Sequence, residues 1–156
     1  MAVHTIEIER SIEDVFAVLT DVTKTGRWYP ARVEEWWVTP PPHGVGSVRR
    51  ARVMVLGRAS ENDAVVTEYD PPRRAAMKGE SASAPFTATL DFTPVPGGTR
   101  AEVETIFELR GLMRVVGPLF IGPYERGWDK GLQNLKRMME AGALDPGTPA
   151  SESPSA

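Results

Sequence analysis

Only two side chains in this sequence, His4 and His43, are imidazole bases of the type that a catalytic triad uses, and there is no cysteine. A hydrolytic or transferase triad needs a nucleophile, a base and a group that orients the base. Neither histidine stands in a motif that supplies them. His4 shares the parity of Ile6 and Ile8 and fits a hydrogen-bonded core residue, while His43 lies between Pro42 and Gly44 and reads as a turn. A transition-metal site needs three or four close His, Cys, Asp or Glu ligands, and no such cluster is evident. The glycines at 44–46 and 96–98 lack the lysine of a phosphate loop and the helix-opening context of a dinucleotide fingerprint. No cofactor and no metal is expected. Two polar residues keep weak catalytic potential: Tyr69 as a donor or weak acid in a dry cavity, and Arg50 if its strand parity turns it inward.

The four tryptophans, Trp28, Trp36, Trp37 and Trp128, each offer a wide apolar surface with one polar handle. Adjacent Trp36 and Trp37 on one strand face opposite sides. One is a cavity wall and the other lies outside, and a bulge after Pro30 would exchange them.

Val3–Glu9 alternates as a strand with one buried face. Ser11 then fits an N-cap, and Ile12, Val15, Phe16 and Leu19 recur at helical spacing. A second short helical turn is expected before Pro30, because the residue preceding proline resists the helical region. Further strands are expected over 32–39, 47–56, 63–69, 74–80, 85–93 and 99–109, with turns at Pro40–Gly44, Asp70–Pro72 and Pro96–Gly98. In the hairpin of the first two, Glu34 and Glu35 come near Arg50 and Arg52 and give those charges a cross-strand role.

From Leu112 the period changes. Trp128, Leu132, Leu135 and Met139 form a helical stripe, extended upstream by Ile121 and Tyr124, with Gly142 placed to end it. Gly117-Pro118 and Gly122-Pro123 interrupt its start, so the helix either begins near Pro123 or begins bent. Residues 1–142 read as one domain, and 143–156 as a disordered tail with almost nothing to bury.

The chain has 156 residues, a formal charge of −3 and 41% hydrophobic residues. That balance suits a globular protein and argues against nucleic acid, which asks for a basic face. No stretch of about 20 apolar residues occurs, and the N-terminus lacks the pattern of a leader. A cytoplasmic location without an integral membrane segment is the expectation.

Arg10-Ser11, Val15-Phe16, Leu19-Thr20-Asp21, Arg27-Trp28-Tyr29-Pro30, Gly44-Val45-Gly46, the run Val66 to Arg74, Phe92-Thr93-Pro94 and Gly97-Gly98-Thr99-Arg100 follow in order over about residues 3 to 141. Together they resemble the START-like (SRPBCC, helix-grip) superfamily, and within it the polyketide cyclase/dehydrase and lipid-transport branch. The resemblance implies an α+β helix-grip fold: a curved seven-stranded antiparallel sheet around a long C-terminal helix, with two short helices between strands 1 and 2. It also implies a cavity between sheet and helix for sterols, lipids, polyketides or other apolar compounds. It implies no particular reaction, because the fold hosts many activities. Aromatase/cyclase members that this branch resembles carry an arginine on the strand before the Asp-Pro turn. This sequence has Asp63, Val65 and Tyr69 there.

Parity nominates Val65, Thr67, Tyr69, Met77, Phe86, Ala88, Leu90, Thr105 and Phe107 from the sheet as cavity residues. Phe120, Tyr124 and Trp128 join them from the helix, beside Trp28, Trp36 and Trp37. The leading expectation is a binder or carrier of an apolar or aromatic small molecule such as a lipid, sterol, quinone or polyketide. A cyclase or dehydratase and a protein- or membrane-interaction module, using the outward tryptophan and Gly117–Pro123, are the alternatives. Ligand identity and oligomeric state are not specified by the sequence.

Overall fold

The computed structural model describes residues 2–29, 33–55, 57–80 and 85–148. The first alternating segment is strand β1 (Ala2–Ile8). Helix α1 (Ile12–Leu19) follows, and the Ser11 hydroxyl accepts the Asp14 N–H at 3.2 Å, which satisfies one open donor of the first turn. Glu13 and Asp14 in that turn complement the helix dipole. A 3-10 turn (Val22–Lys24) and the one-turn α2 (Thr25–Trp28) complete the short helical region.

Six strands then run as a meander: β2 (Val33–Trp37), β3 (Val48–Val55), β4 (Arg58–Asp70), β5 (Arg74–Glu80), β6 (Phe86–Val95) and β7 (Gly98–Phe107). The sheet order is β1-β7-β6-β5-β4-β3-β2, antiparallel throughout, so both edges come from the N-terminal part of the chain. Gly97 at φ 83° makes the tight β6–β7 turn in a region that disfavours side chains. In β4 the pairing runs Val66 to Met77 and then Glu68 to Ala76, leaving Thr67 as an extra residue in a bulge.

After a single turn, α3 (Met113–Val116), the long helix α4 (Pro118–Glu140) crosses the concave face. It starts at Pro118, where a missing N–H costs nothing, and continues through Pro123. Its C-terminal half forms the dry core: Leu132, Leu135 and Met139 join Ile8, Val15, Phe16, Val18, Phe92 and Val103, all nearly inaccessible. Each such side chain contributes roughly 1.5–3 kcal/mol of transfer free energy. Lys136 Nζ donates to the Glu7 carbonyl at 2.7 Å, the Glu9 N–H donates to the Glu140 carboxylate at 2.9 Å, and Arg10 Nη1 donates to the Met139 carbonyl at 2.8 Å. These bonds tie that end of α4 to the end of β1 and the two residues that follow it.

The expected boundary at 142 moves. Leu144 is 0% exposed and belongs to the core, and the Asp145 N–H donates to the Thr148 hydroxyl at 2.9 Å. The chain therefore stays packed beyond Gly142, because one leucine can still reach the apolar face. The rest of the expected tail, 149–156, lies outside the described residues.

Candidate functional site

Register fixes which side chains share the concave face. One row runs Trp37, Arg49, Ala64, Gly79, Phe86 and Phe107 from β2 to β7; the next holds Val66, Met77, Ala88 and Thr105; a third holds Tyr69, Ala75, Leu90, Val103 and His4. The third row meets the dry core. The first two face the N-terminal half of α4.

There the rings form a continuous chain. Phe86 and Phe107 centroids are 5.9 Å apart, Phe107 and Tyr124 5.1 Å, Tyr124 and Trp128 6.5 Å, and Trp128 meets Tyr29 and Trp28 at 5.5 and 5.8 Å. Glycine makes two of these placements possible. A Cβ on Gly79 would fall 2.0 Å from the Phe86 ring, and Cβ atoms on Gly127 and Gly131, one helical turn apart, would meet Tyr29 at 2.8 and 3.1 Å. The α2 aromatics thus seat in a notch of α4.

One carboxyl and one guanidinium side chain border this aromatic wall. Glu35 and Arg49 are 16% and 8% exposed, with Arg49 Nε 3.5 Å from a Glu35 carboxylate oxygen. Arg49 Nη1 donates to the Asn62 amide oxygen at 2.7 Å, and its guanidinium lies 5.7 Å from the Phe86 centroid. Burial pushes the Glu35 carboxyl above its ordinary range, outweighing the opposing pull of Arg49 and of a hydrogen bond from Thr25. Burial likewise pushes the Tyr29 phenol up to about 12, with Tyr124 and Glu35 adding to the effect. Tyr124 is raised mainly by burial, although its hydroxyl donates to Thr105 Oγ1 at 3.3 Å. Both phenols stay protonated at neutral pH.

His4 faces inward, with Nδ1 2.7 Å from Asp129 and the ring stacked on Trp128 at 6.4 Å. Its Nε2, the Trp28 Nε1 and the Arg49 Nε are buried without a hydrogen-bond partner. His43 stacks on Trp37 at 4.1 Å and bonds the Thr39 carbonyl, as a turn residue. Among the described residues no group of three or more His, Cys, Asp or Glu is placed to hold a metal ion.

Several expected positions differ. Val65 pairs with Val48 and Lys78 on the outer face, and Thr67 is the exposed bulge residue; Asn62, Ala64 and Val66 are the inward set. The bulge explains the shift, since one extra residue reverses parity upstream of it while Tyr69 returns inward. Tyr69 packs on Phe16 at 5.7 Å, 43% exposed, two rows away from Arg49. Arg50 does not reach inside: it forms a two-pronged pair with Asp63 at 2.8 and 3.1 Å on the outer face. Trp36 is also outside, with Arg52 5.7 Å from its centroid and Glu34 3.8 Å from Arg52, and Trp37 is the inward member. The side chain of Phe120 lies outside the described residues. Glu35 and Arg49 were missed as a site because their neighbours Glu34 and Arg50 offer the same chemistry in the opposite parity.

On the surface Leu112, Val115 and Leu119 are 76%, 75% and 74% exposed around α3 and the start of α4. Among the described residues no helix is long and apolar enough to cross a membrane.

A family model described as polyketide cyclase / dehydrase and lipid transport matches residues 2–140. The chain belongs to that family. Solved structures of the same fold include a Thermus thermophilus protein with a TM-score of 0.74 and 17% identity, covering 92% of this chain and 99% of that one. A Chromobacterium violaceum protein matches with a TM-score of 0.70 and 15% identity over 89% and 96% of the two chains. The di-domain ARO/CYC StfQ from the steffimycin biosynthetic pathway gives 0.74 and 13% identity, covering 91% of this chain and 51% of that one. No curated protein matches the sequence. Identities this low carry the helix-grip fold and nothing finer.

Proposed function

We propose that the protein binds or carries an apolar or aromatic small molecule between the concave face of its sheet and the N-terminal half of α4. The observation that supports this reading is the continuous run of inward rings from Phe86 through Phe107 and Tyr124 to Trp128. A flat aromatic ligand gains both area burial and ring contacts there. Family membership supports a ligand-binding role of this kind.

Native mass spectrometry of the purified protein, followed by tryptophan-fluorescence titration with fatty acids, sterols, quinones and aromatic polyketides, tests it. Trp128 and Trp28 border the proposed site, so saturable quenching by at least one class is expected. A flat response across the whole panel would sink the reading.

A second reading, a cyclase or dehydratase, is favoured by one observation: Glu35 and Arg49 sit among two protonated phenols at the aromatic wall. It predicts that turnover of a polyketide-like substrate depends on Arg49 and Glu35, whereas Arg50→Ala leaves it unchanged. Turnover that survives loss of both inward charges would exclude this pair from any reaction.

A further inference from the structure

We infer that the outward ridge of Leu112, Val115 and Leu119 docks the protein on an anionic lipid surface, with Arg114 reaching the head-group phosphates. Docking is separate from the small-molecule reading above and stands or falls without it. Direct exchange of an apolar ligand with that surface is the one consequence that rests on that reading.

The three side chains recur at i, i+3 and i+7, and the backbone stays helical from Leu112 through Gly117 (φ −52°, ψ −43°) into α4, so they share one face. Each is exposed by 74% or more. The other side of this segment is already seated: Gly117 is buried, and a Cβ there would fall 2.7 Å from Leu109 Cδ1. The ridge is therefore not a core face turned the wrong way. Further along, the same helix obeys the ordinary rule, with Arg126, Asp129, Lys130, Gln133, Arg137 and Glu140 at its exposed positions. Aliphatic residues facing water at one end of a helix mark a surface that is covered when the protein works.

The composition of that end says what covers it. From Leu112 to Pro123 the one polar side chain is Arg114, and no carboxylate occurs from Leu109 to Tyr124, although the chain has 21 acidic and 18 basic residues. Arg114 is exposed, and its Nε donates to the Leu109 carbonyl at 3.4 Å; Arg110 is balanced by Glu108 at 3.0 Å. A protein partner needs more than this ridge offers. Stable complexes bury about 800 Å² per partner with roughly one hydrogen bond per 100–200 Å², whereas three aliphatic side chains make a few hundred Å² and bring no donors. A bilayer needs neither shape nor hydrogen bonds: an apolar ridge sinks into the boundary of head groups and acyl chains, while an arginine beside it reaches phosphate. The ridge also adjoins the end of the aromatic wall. Phe86 opens β6, Phe107 closes β7, and the Glu108 N–H donates to the Pro85 carbonyl at 2.9 Å just before the chain turns into α3.

Co-sedimentation of the full chain with sucrose-loaded vesicles of phosphatidylcholine, pure or mixed with phosphatidylglycerol, tests the docking. The wild type is expected to pellet with the mixed vesicles and to bind them about fivefold tighter than pure ones, the gain from one arginine at an anionic surface, and added salt should shrink that gain. The triple variant Leu112→Ser, Val115→Ser, Leu119→Ser alters exposed positions alone, so its thermal unfolding should match the wild type while vesicle binding falls about tenfold or more. Arg114→Gln should bind pure and mixed vesicles alike. A wild type that does not pellet with mixed vesicles overturns the docking without any variant, and so does a triple variant that pellets as the wild type does. A preference for mixed vesicles that survives Arg114→Gln removes that arginine from the contact. If light scattering instead shows a wild-type dimer that the triple variant does not form, and vesicles stay unbound, the ridge belongs to a second copy and the lipid surface is excluded. Titration with apolar compounds in the absence of vesicles decides the small-molecule reading on its own, so either can fall while the other stands.

Discussion

A carboxylate on the concave face of a sheet is unusual enough to leave a pH signature. Because burial raises the Glu35 carboxyl in the folded state, the folded chain holds its proton to higher pH than the unfolded chain does. The stability that this group contributes is therefore fully present below its ordinary value of 4.5 and is lost as pH rises through the raised native value. Glutamine does not titrate. Urea denaturation of wild type and Glu35→Gln across acidic to neutral pH is expected to show the wild type losing stability relative to the variant as pH rises; a constant difference would mean that Glu35 titrates normally. Tyr29 gives the alkaline counterpart. With its phenol raised to about 12, ionisation followed by ultraviolet absorbance should show a late step whose amplitude falls by one phenol in Tyr29→Phe, while the raised Tyr124 keeps its own late contribution. Neither effect was legible in the sequence. Glu34-Glu35 and Arg49-Arg50 are doublets, and on a strand a doublet always sends one member to each face, so residue type alone cannot say which charge is dry.

Elements were more legible than their phase. Alternation in β6 and β7 is unbroken, and the inward set Phe86, Ala88, Leu90, Thr105 and Phe107 follows from counting by two. In β4 the count fails at Thr67. A bulge has no side-chain signature, so Val65 read as inward and Val66 as outward, the reverse of what pairing with Val48 and Met77 gives. The close approach of Gly98 to β1 was likewise invisible, although it fixes how the β6–β7 turn sits beside the first strand. A Cβ there would lie 2.2 Å from the Ile8 carbonyl oxygen and 2.9 Å from the Glu9 Cα. Both are backbone atoms with nowhere to go. Gly98→Ala is expected to destabilise the fold by about 1–3 kcal/mol, as overpacking does, measurable as a lower urea midpoint with an unchanged slope. An unchanged midpoint would show that the edge between β1 and β7 yields easily.

For the molecule as a whole, the order of elements and the long closing helix carried the fold, since the switch from period two to period 3.6 near Leu112 marks where sheet ends and helix begins. What the pattern hid was the extent of the core. A single leucine among proline, glycine and serine looks like tail, yet Leu144 is fully buried and belongs to the same core cluster as residues of α1 and α4. Leu144→Ala should cost about 2–5 kcal/mol, read by thermal or urea unfolding; a cost near zero would return the boundary to Gly142. The sheet order has a kinetic meaning as well. From β2 to β7 every partner is the next strand in the chain, so these pairings close short loops, whereas Ile8 beside Thr99 and Ala2 beside Thr105 join the two ends of the domain. Loop closure of that span carries the larger entropy cost. The meander can therefore form while β1 is still free, and pulse-labelled hydrogen exchange during refolding should protect β4 to β6 before β1. Until β1 docks, α4 has none of the anchors at Glu7, Glu9 and Arg10, and the grip closes last.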